Sequence, residues 1–143
     1  MFRHRFVPIA AAFGLGLGCA AGSSTGYGSN NNSPPPTPTT GDVAIVEGAR
    51  LLGSAAFNPN PETVALSGGA GVQVRWVNGD ITGGDYQTGV ATAHSIVSDN
   101  MQFASSGSLG GNATYPITLT AAGDYSYHCG IHPTMVGTIH VDP

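Results

Sequence analysis

The sequence predicts an all-β fold: a Greek-key β-sandwich or barrel of about seven to eight strands, preceded by a signal peptide and a disordered tether. Three observations point there. Charged residues make up only 8% of the 143-residue chain, lysine is absent and glycine occurs 22 times, so the usual helix formers are too few to build ordinary helices. From residue 42 onward, short apolar or alternating runs recur at roughly 8 to 12 residue spacing. Gly, Asn and Asp stand between those runs, and they are turn residues.

The chain opens MFRHRFVPIAAAFGLGLGCAAGSS, in which Arg3 and Arg5 precede an apolar stretch from Phe6 to Leu17 and small residues surround Cys19. That is the pattern of a secretory signal peptide over residues 1–18, too short to span a bilayer as a stable helix. The expected destination is the periplasm or the cell surface. Cys19 resembles the acceptor cysteine of a bacterial lipoprotein signal, with Gly18 before the cut, although Gly16 stands where that signal usually has Leu. Cleavage near Ala20 to Gly22 by an ordinary signal peptidase is the alternative; lipidation, with a membrane tether through Cys19, is the preferred reading. Either outcome removes Cys19 as a disulfide partner for Cys129, the other cysteine. An exported chain left with one thiol needs another use for it.

Residues 19–41, CAAGSSTGYGSNNNSPPPTPTTG, carry no apolar periodicity and read as a disordered tether stiffened by the prolines from Pro34 to Pro38. The domain follows over residues 42–143. Its candidate strands are VAIVEG, FNPNPETVALSGG, VQVRWVNGD, AHSIVSD, ATYPITLTAAG, DYSYHC and VGTIHV. In VQVRWV, Val72, Val74 and Trp76 share one face; in TYPITLT, Tyr115, Ile117 and Leu119 do. No segment has a strong helical pattern, and a short helix within residues 83–92 is the one weak candidate. Without the leader, two arginines face eight carboxylates, a net charge of −6 that disfavours nucleic acid and anionic lipid headgroups. GGAG and GSLGG lack a following lysine and a helical continuation, so they are turns rather than phosphate cradles.

The chemistry concentrates in YHCGIHPTMVGTIHV, residues 127–141. Tyr125, Tyr127 and Cys129 alternate onto one face, and two tyrosines make it the core face, which places a buried thiol at a strand end. His132 and Met135 lie in the turn that follows, stiffened by Pro133. Each residue alone has an ordinary explanation: a core cysteine, a filler methionine, a surface histidine. Together, thiolate, imidazole and thioether at intervals of three point to a metal. One short loop cannot surround an ion, and His94, opening the run HSIV, is the best candidate for a further donor; His128 and His140 alternate to the opposite face and are expected to meet solvent. A trigonal set of two His and one Cys with a weak axial Met suits copper, whereas thioether is a poor zinc ligand.

These segments resemble the cupredoxins, the small blue copper proteins, across essentially all of residues 42–143. FNPNPETVALSGGAGVQVRWVN is similar to the family's Phe, Pro, turn-glycine and Val-x-Trp pattern, AHSIV to its first-ligand strand, and GDYSYHCGIHPTMVGTIHV to its ligand loop. The Cys129, His132 and Met135 spacing is similar to that of amicyanin. The resemblance implies one type 1 copper ion, with His94, Cys129 and His132 as equatorial ligands, Met135 as axial ligand, and Ser95 bonding across to the cysteine loop. Two features depart from the family: Ile131 precedes His132 where many members have Pro, and the run from Trp76 to His94 is about ten residues longer than compact members need. That run is expected near the metal, as a shield, a partner surface or a solvated insertion.

The implied function is a monomeric, exported electron carrier, not an enzyme, that shuttles single electrons between redox partner proteins. Periplasmic copper storage or delivery is the alternative. Such proteins usually expose Met-rich or His-rich tracts, and with three methionines in the whole chain no such tract exists.

Overall fold

The computed structural model describes residues 39–82 and 89–143. Residues 1–38 and 83–88 lie outside the described residues, and with them the expected signal peptide, the lipidation of Cys19, most of the expected tether and much of the weak helix candidate. Residues 89–92 are not helical.

Among the described residues, eight strands form two four-stranded sheets. They are β1 (Thr39–Ile45), β2 (Phe57–Asn58), β3 (Glu62–Ala65), β4 (Val72–Asn78), β5 (Val97–Ser98), β6 (Thr114–Leu119), β7 (Gly123–His128) and β8 (Val136–Asp142). One sheet has the order β2-β1-β4-β6 and the other β3-β8-β7-β5. Both are mixed: β1 runs parallel to β4, and β3 runs parallel to β8, while the other pairs are antiparallel. Single turns of 3-10 helix at Ala49–Leu51, Gly53–Ala56 and Gly68–Ala70 fill the connections, and among the described residues no helix is long and apolar enough to cross a membrane.

Alternation in the sequence becomes the two faces of each strand. Val72, Val74 and Trp76 are buried, as are Tyr125, Tyr127 and Cys129. Trp76 on one sheet meets Tyr127 on the other edge-to-face, with ring centroids 5.0 Å apart, and Phe57 packs on Tyr127 at 4.9 Å. Such pairs add about 0.5–1.5 kcal/mol each beyond the area they bury. The tie holds the two sheets together two residues before Cys129, so the core fixes where the thiol stands.

Two boundaries differ from the sequence reading. β1 begins at Thr39 rather than near Asp42, because its backbone pairs with β4 from Thr39 opposite Val72 onward, and a main-chain ladder needs no apolar side chain. The run FNPNPETVALSGG is not one strand. Phe57–Asn58 pairs with β1 and Glu62–Ala65 with β8, in different sheets, and Pro59 and Pro61 between them have no N–H to give a ladder.

Candidate metal centre

The loop between β7 and β8 carries Cys129, His132 and Met135, and two backbone hydrogen bonds close it on itself. Cys129 N–H donates to the Met135 carbonyl at 3.0 Å, and Met135 N–H donates to the His132 carbonyl at 3.0 Å. The chain must therefore turn so tightly that residues 129 and 132 face one point. Gly130 leaves room there: a Cβ on it would sit 3.0 Å from both Ser95 Oγ and Val97 Cγ2, so a larger residue would press on the start of β5 and the approach to it.

His94 arrives from the other side. It forms an isolated bridge with Leu109: His94 N–H donates to the Leu109 carbonyl at 3.1 Å, and Leu109 N–H returns the bond at 2.7 Å. Its Nδ1 lies 3.8 Å from Cys129 Sγ and 3.3 Å from His132 Nδ1, and His132 Nδ1 lies 3.9 Å from the sulfur. A circle through three atoms with those separations has a radius of about 2.1 Å, which matches the bonding distances of imidazole and thiolate to a first-row metal ion. Two ring nitrogens and a sulfur thus stand around one point, and the donor set fits a soft or borderline metal.

His94 and Cys129 are fully buried, and His132 is half-buried with its neighbours Ile131, Pro133 and Thr134 exposed. Met135 is also fully buried, in the same core as Cys129. Three of the four residues singled out by the sequence meet at the triangle, and the fourth is buried in the loop that carries two of them. His128 and His140 stay away: His128 donates to Asp99 at 2.6 Å, and His140 reaches Asp124 at 2.5 Å and Asp142 at 3.2 Å on the outside of the sheet.

The surroundings favour a thiolate. Burial opposes ionisation of Cys129, but the hydrogen bond from the protonated His94 ring and the backbone N–H groups of Ser95, His132 and Ile131 outweigh it and pull the thiol down to about 6. For His94, burial works against the charged ring, but the bonds to Cys129 and Asp80 carry its affinity for a proton above the ordinary value.

Sequence reasoning missed a set of residues behind His94. Asp80 is completely buried; its Oδ2 lies 3.0 Å from His94 Nε2, and its Oδ1 accepts the N–H of Gly48 at 3.2 Å. Gly48 reaches that position with a φ of 71°, a left-handed conformation that glycine adopts without strain. Asn78, also completely buried, donates through Nδ2 to the carbonyls of Thr92 and Leu109 at 2.8 and 2.9 Å, while its Oδ1 accepts the N–H of Asp80 at 3.0 Å. At the start of the long run between Trp76 and His94, Asn78 and Asp80 thus turn inward behind the imidazole. Farther along, Glu47 accepts the N–H groups of Ile81 and Thr82 at 3.1 and 3.3 Å and anchors the outgoing stem.

No family model matches the chain, and no curated protein matches it in sequence. Solved structures do. A purple cupredoxin from Nitrosopumilus maritimus aligns with a TM-score of 0.56 and 23% identity, covering 71% of this chain and 98% of that one. A copper-containing nitrite reductase from Thermus scotoductus SA-01 aligns with a TM-score of 0.52 and 27% identity, covering 76% of this chain. The present chain spans only 23% of the length of that reductase. The two-sheet sandwich, with a three-donor centre between the β7–β8 loop and the approach to β5, is a cupredoxin fold.

Proposed function

We propose that the chain is an exported, tethered type 1 copper protein that carries single electrons between redox partners. One observation carries the reading: Nδ1 of His94, Nδ1 of His132 and Sγ of Cys129 stand 3.3 to 3.9 Å apart, and the loop that carries the last two also buries Met135. That set, with the thioether as a weak axial donor, is the one that blue copper centres use. The copper named for the nitrite reductase, and the cupredoxin fold of the other neighbour, support the same metal.

Bound copper supplies a reversible one-electron couple. The residues supply the rest. His94 and Cys129 hold their donors in fully buried positions, so little solvent rearranges around them when the charge changes. The N–H of Ser95 points at Cys129 Sγ and stabilises negative charge on it. His132, half-exposed, offers the short path to the surface. Four protein donors leave no open position for a substrate, which is why we read a carrier rather than an enzyme. Storage or delivery fits less well, because two of the three clustered donors are fully buried and a delivered ion must leave readily.

We further infer that Cys19 is lipidated and that residues 20–38 tether a monomeric domain at the periplasmic or outer surface of a membrane. The net −6 charge of the chain beyond the leader suits a basic redox partner. The test of the central reading is the optical spectrum of the purified chain with Cu(II). Intense visible absorption from thiolate-to-copper charge transfer is expected, and a colourless complex would sink the assignment.

A further inference from the structure

The buried carboxylate of Asp80 has a role that the ligand loop leaves open. Its side chain is 0% exposed, it has no Lys or Arg partner among the described residues, and its two oxygens take the Gly48 N–H and the far nitrogen of the His94 ring. A buried anion with so few partners is expensive to keep. The surrounding chain is nevertheless arranged to hold it. Asn78 fixes the Asp80 backbone, Thr92 N–H donates to the Asp80 carbonyl at 2.9 Å, and Gly48 takes a left-handed turn to reach its Oδ1.

We propose that Asp80 is a positioning residue of the metal centre, which fixes His94 as the Nε2–H tautomer and holds a negative charge behind the ring. The inference rests on the copper reading for its effect on the metal, but its first consequence is independent of any metal. A neutral imidazole carries one proton, and the carboxylate 3.0 Å from Nε2 accepts it there. Nδ1 is then left as a lone pair facing Cys129 and His132. Asn78 ties together the carbonyls of Thr92 and Leu109, and so holds the backbone on which the ring is carried. A carboxylate on the far nitrogen also makes the imidazole more basic as a donor. The charge favours the more positive oxidised ion over the reduced one, so Asp80 should hold the potential of the couple down.

Two variants of the full chain separate this role from simple support of the fold. Asp80→Asn keeps the volume and one acceptor oxygen but removes the charge, and Asp80→Ala removes both acceptors. Nitrogen NMR of the metal-free protein, at a pH where the ring is neutral, should show His94 protonated at Nε2 in the wild type and a mixture of tautomers in Asp80→Ala. In Asp80→Asn, Cu(II) affinity should fall about tenfold to a hundredfold, Cu(I) affinity should fall less, and the reduction potential should therefore rise. If Asp80→Ala does not fold, the unequal loss of the two affinities in Asp80→Asn decides the matter. Equal loss of Cu(I) and Cu(II) affinity with an unchanged potential, or an unchanged His94 tautomer in Asp80→Ala, would overturn the proposal. An Asp80-dependent tautomer in a wild-type chain that fails to bind copper tightly would uphold the positioning role and remove the copper reading instead.

Discussion

The backbone N–H of Ser95 points at the sulfur of Cys129 across 3.4 Å, from a residue that follows one donor to a residue that is another. The bond crosses between the approach to β5 and the end of β7, so it ties the two halves of the centre together. It also places positive dipole on the sulfur, which acts most when the sulfur carries most negative charge, in the reduced centre. The Ser95 hydroxyl is not needed for this; any residue with a backbone N–H could donate it. Ser95→Ala should leave the potential nearly unchanged, while Ser95→Pro, which lacks the N–H, should lower it. Voltammetry of the two variants checks this, and a larger shift in the alanine variant would place the effect in the hydroxyl.

Cys129 is the source of the expected colour. Cys129→Ser replaces a buried thiol with a smaller hydroxyl in a core pinned by Trp76, Tyr127 and Phe57. The sandwich should therefore remain folded, at a cost of about 1–3 kcal/mol, while visible absorption with Cu(II) disappears. Circular dichroism and the optical spectrum of the same sample read both outcomes. Colour that survives the substitution would show that the thiolate is not a ligand.

The same thiol gives the metal-free protein a pH signature. Its pKa is pulled from an ordinary 9.0 to about 6, so the folded state loses the proton earlier than the unfolded chain does. A depressed pKa contributes stability that is complete above the unfolded value and is lost as pH falls through about 6. His94 acts in the opposite sense. Its raised pKa contributes below its ordinary value of 6.5 and fades as pH rises through the folded value. The thiolate contribution can be isolated by comparison with Cys129→Ser. Between pH 6 and 9 the wild type should gain stability relative to that variant, and thiolate ultraviolet absorbance should appear near pH 6. An absorbance step near pH 9 would mean that the site does not hold the anion.

Met135 is buried in the loop whose backbone it closes, and a thioether donates weakly to copper. Met135→Gln should keep the metal and lower the potential, because a harder oxygen donor favours the oxidised ion. Copper titration followed by voltammetry tests it. Complete loss of copper would show that the side chain holds the metal rather than tuning it.

Much of the fold and part of the centre can be read from the sequence, and the limits have physical causes. Strict alternation in VQVRWV and DYSYHC decides which faces are buried, so the core around Trp76 and Tyr127 was legible. The spacing of Cys129, His132 and Met135 is local, and a local pattern survives in the text. Asp80 and Asn78 were not legible. Asn-Gly-Asp after a strand has the composition of a solvated turn, and only the return of the chain at Thr92 and Leu109 turns those side chains inward. The split of FNPNPETVALSGG between sheets was marked by its two prolines, which the apolar content of the run outweighed in the reading.

The anchor makes a separate claim about the N-terminus. If Cys19 is the lipidated residue, the mature protein starts there and fractionates with membranes, and Cys19→Ala leaves it unprocessed or releases it. Mass spectrometry of the mature N-terminus decides. An unmodified start beyond residue 19 would leave a freely soluble exported protein.

The route of the electron follows from which donors are covered. His94 and Cys129 have no exposed surface, whereas His132 lies half-buried in a turn whose neighbour Ile131 is 47% exposed. Beside that turn runs the segment Ala49–Leu51: the Thr134 hydroxyl donates to the Arg50 carbonyl at 3.4 Å, and Leu51 is 66% exposed. Exposed Ile131, next to His132, puts apolar surface beside the imidazole edge, which suits a brief contact that is easily desolvated. If the leader is removed, the net charge of −6 on the remaining chain would steer a basic partner from a distance, and the association rate would fall with added salt. Ile131→Lys or Thr134→Lys should slow electron exchange several-fold or more without changing the optical spectrum, since neither side chain is in the donor triangle. The control is His128→Gln. His128 sits on the other face of β7, hydrogen-bonded to Asp99, and its loss should leave the rate unchanged. Self-exchange measured by NMR line broadening on all three variants reads the difference. Slowing confined to the His128 variant would move the exit to the strand side of the sandwich and refute the path through His132.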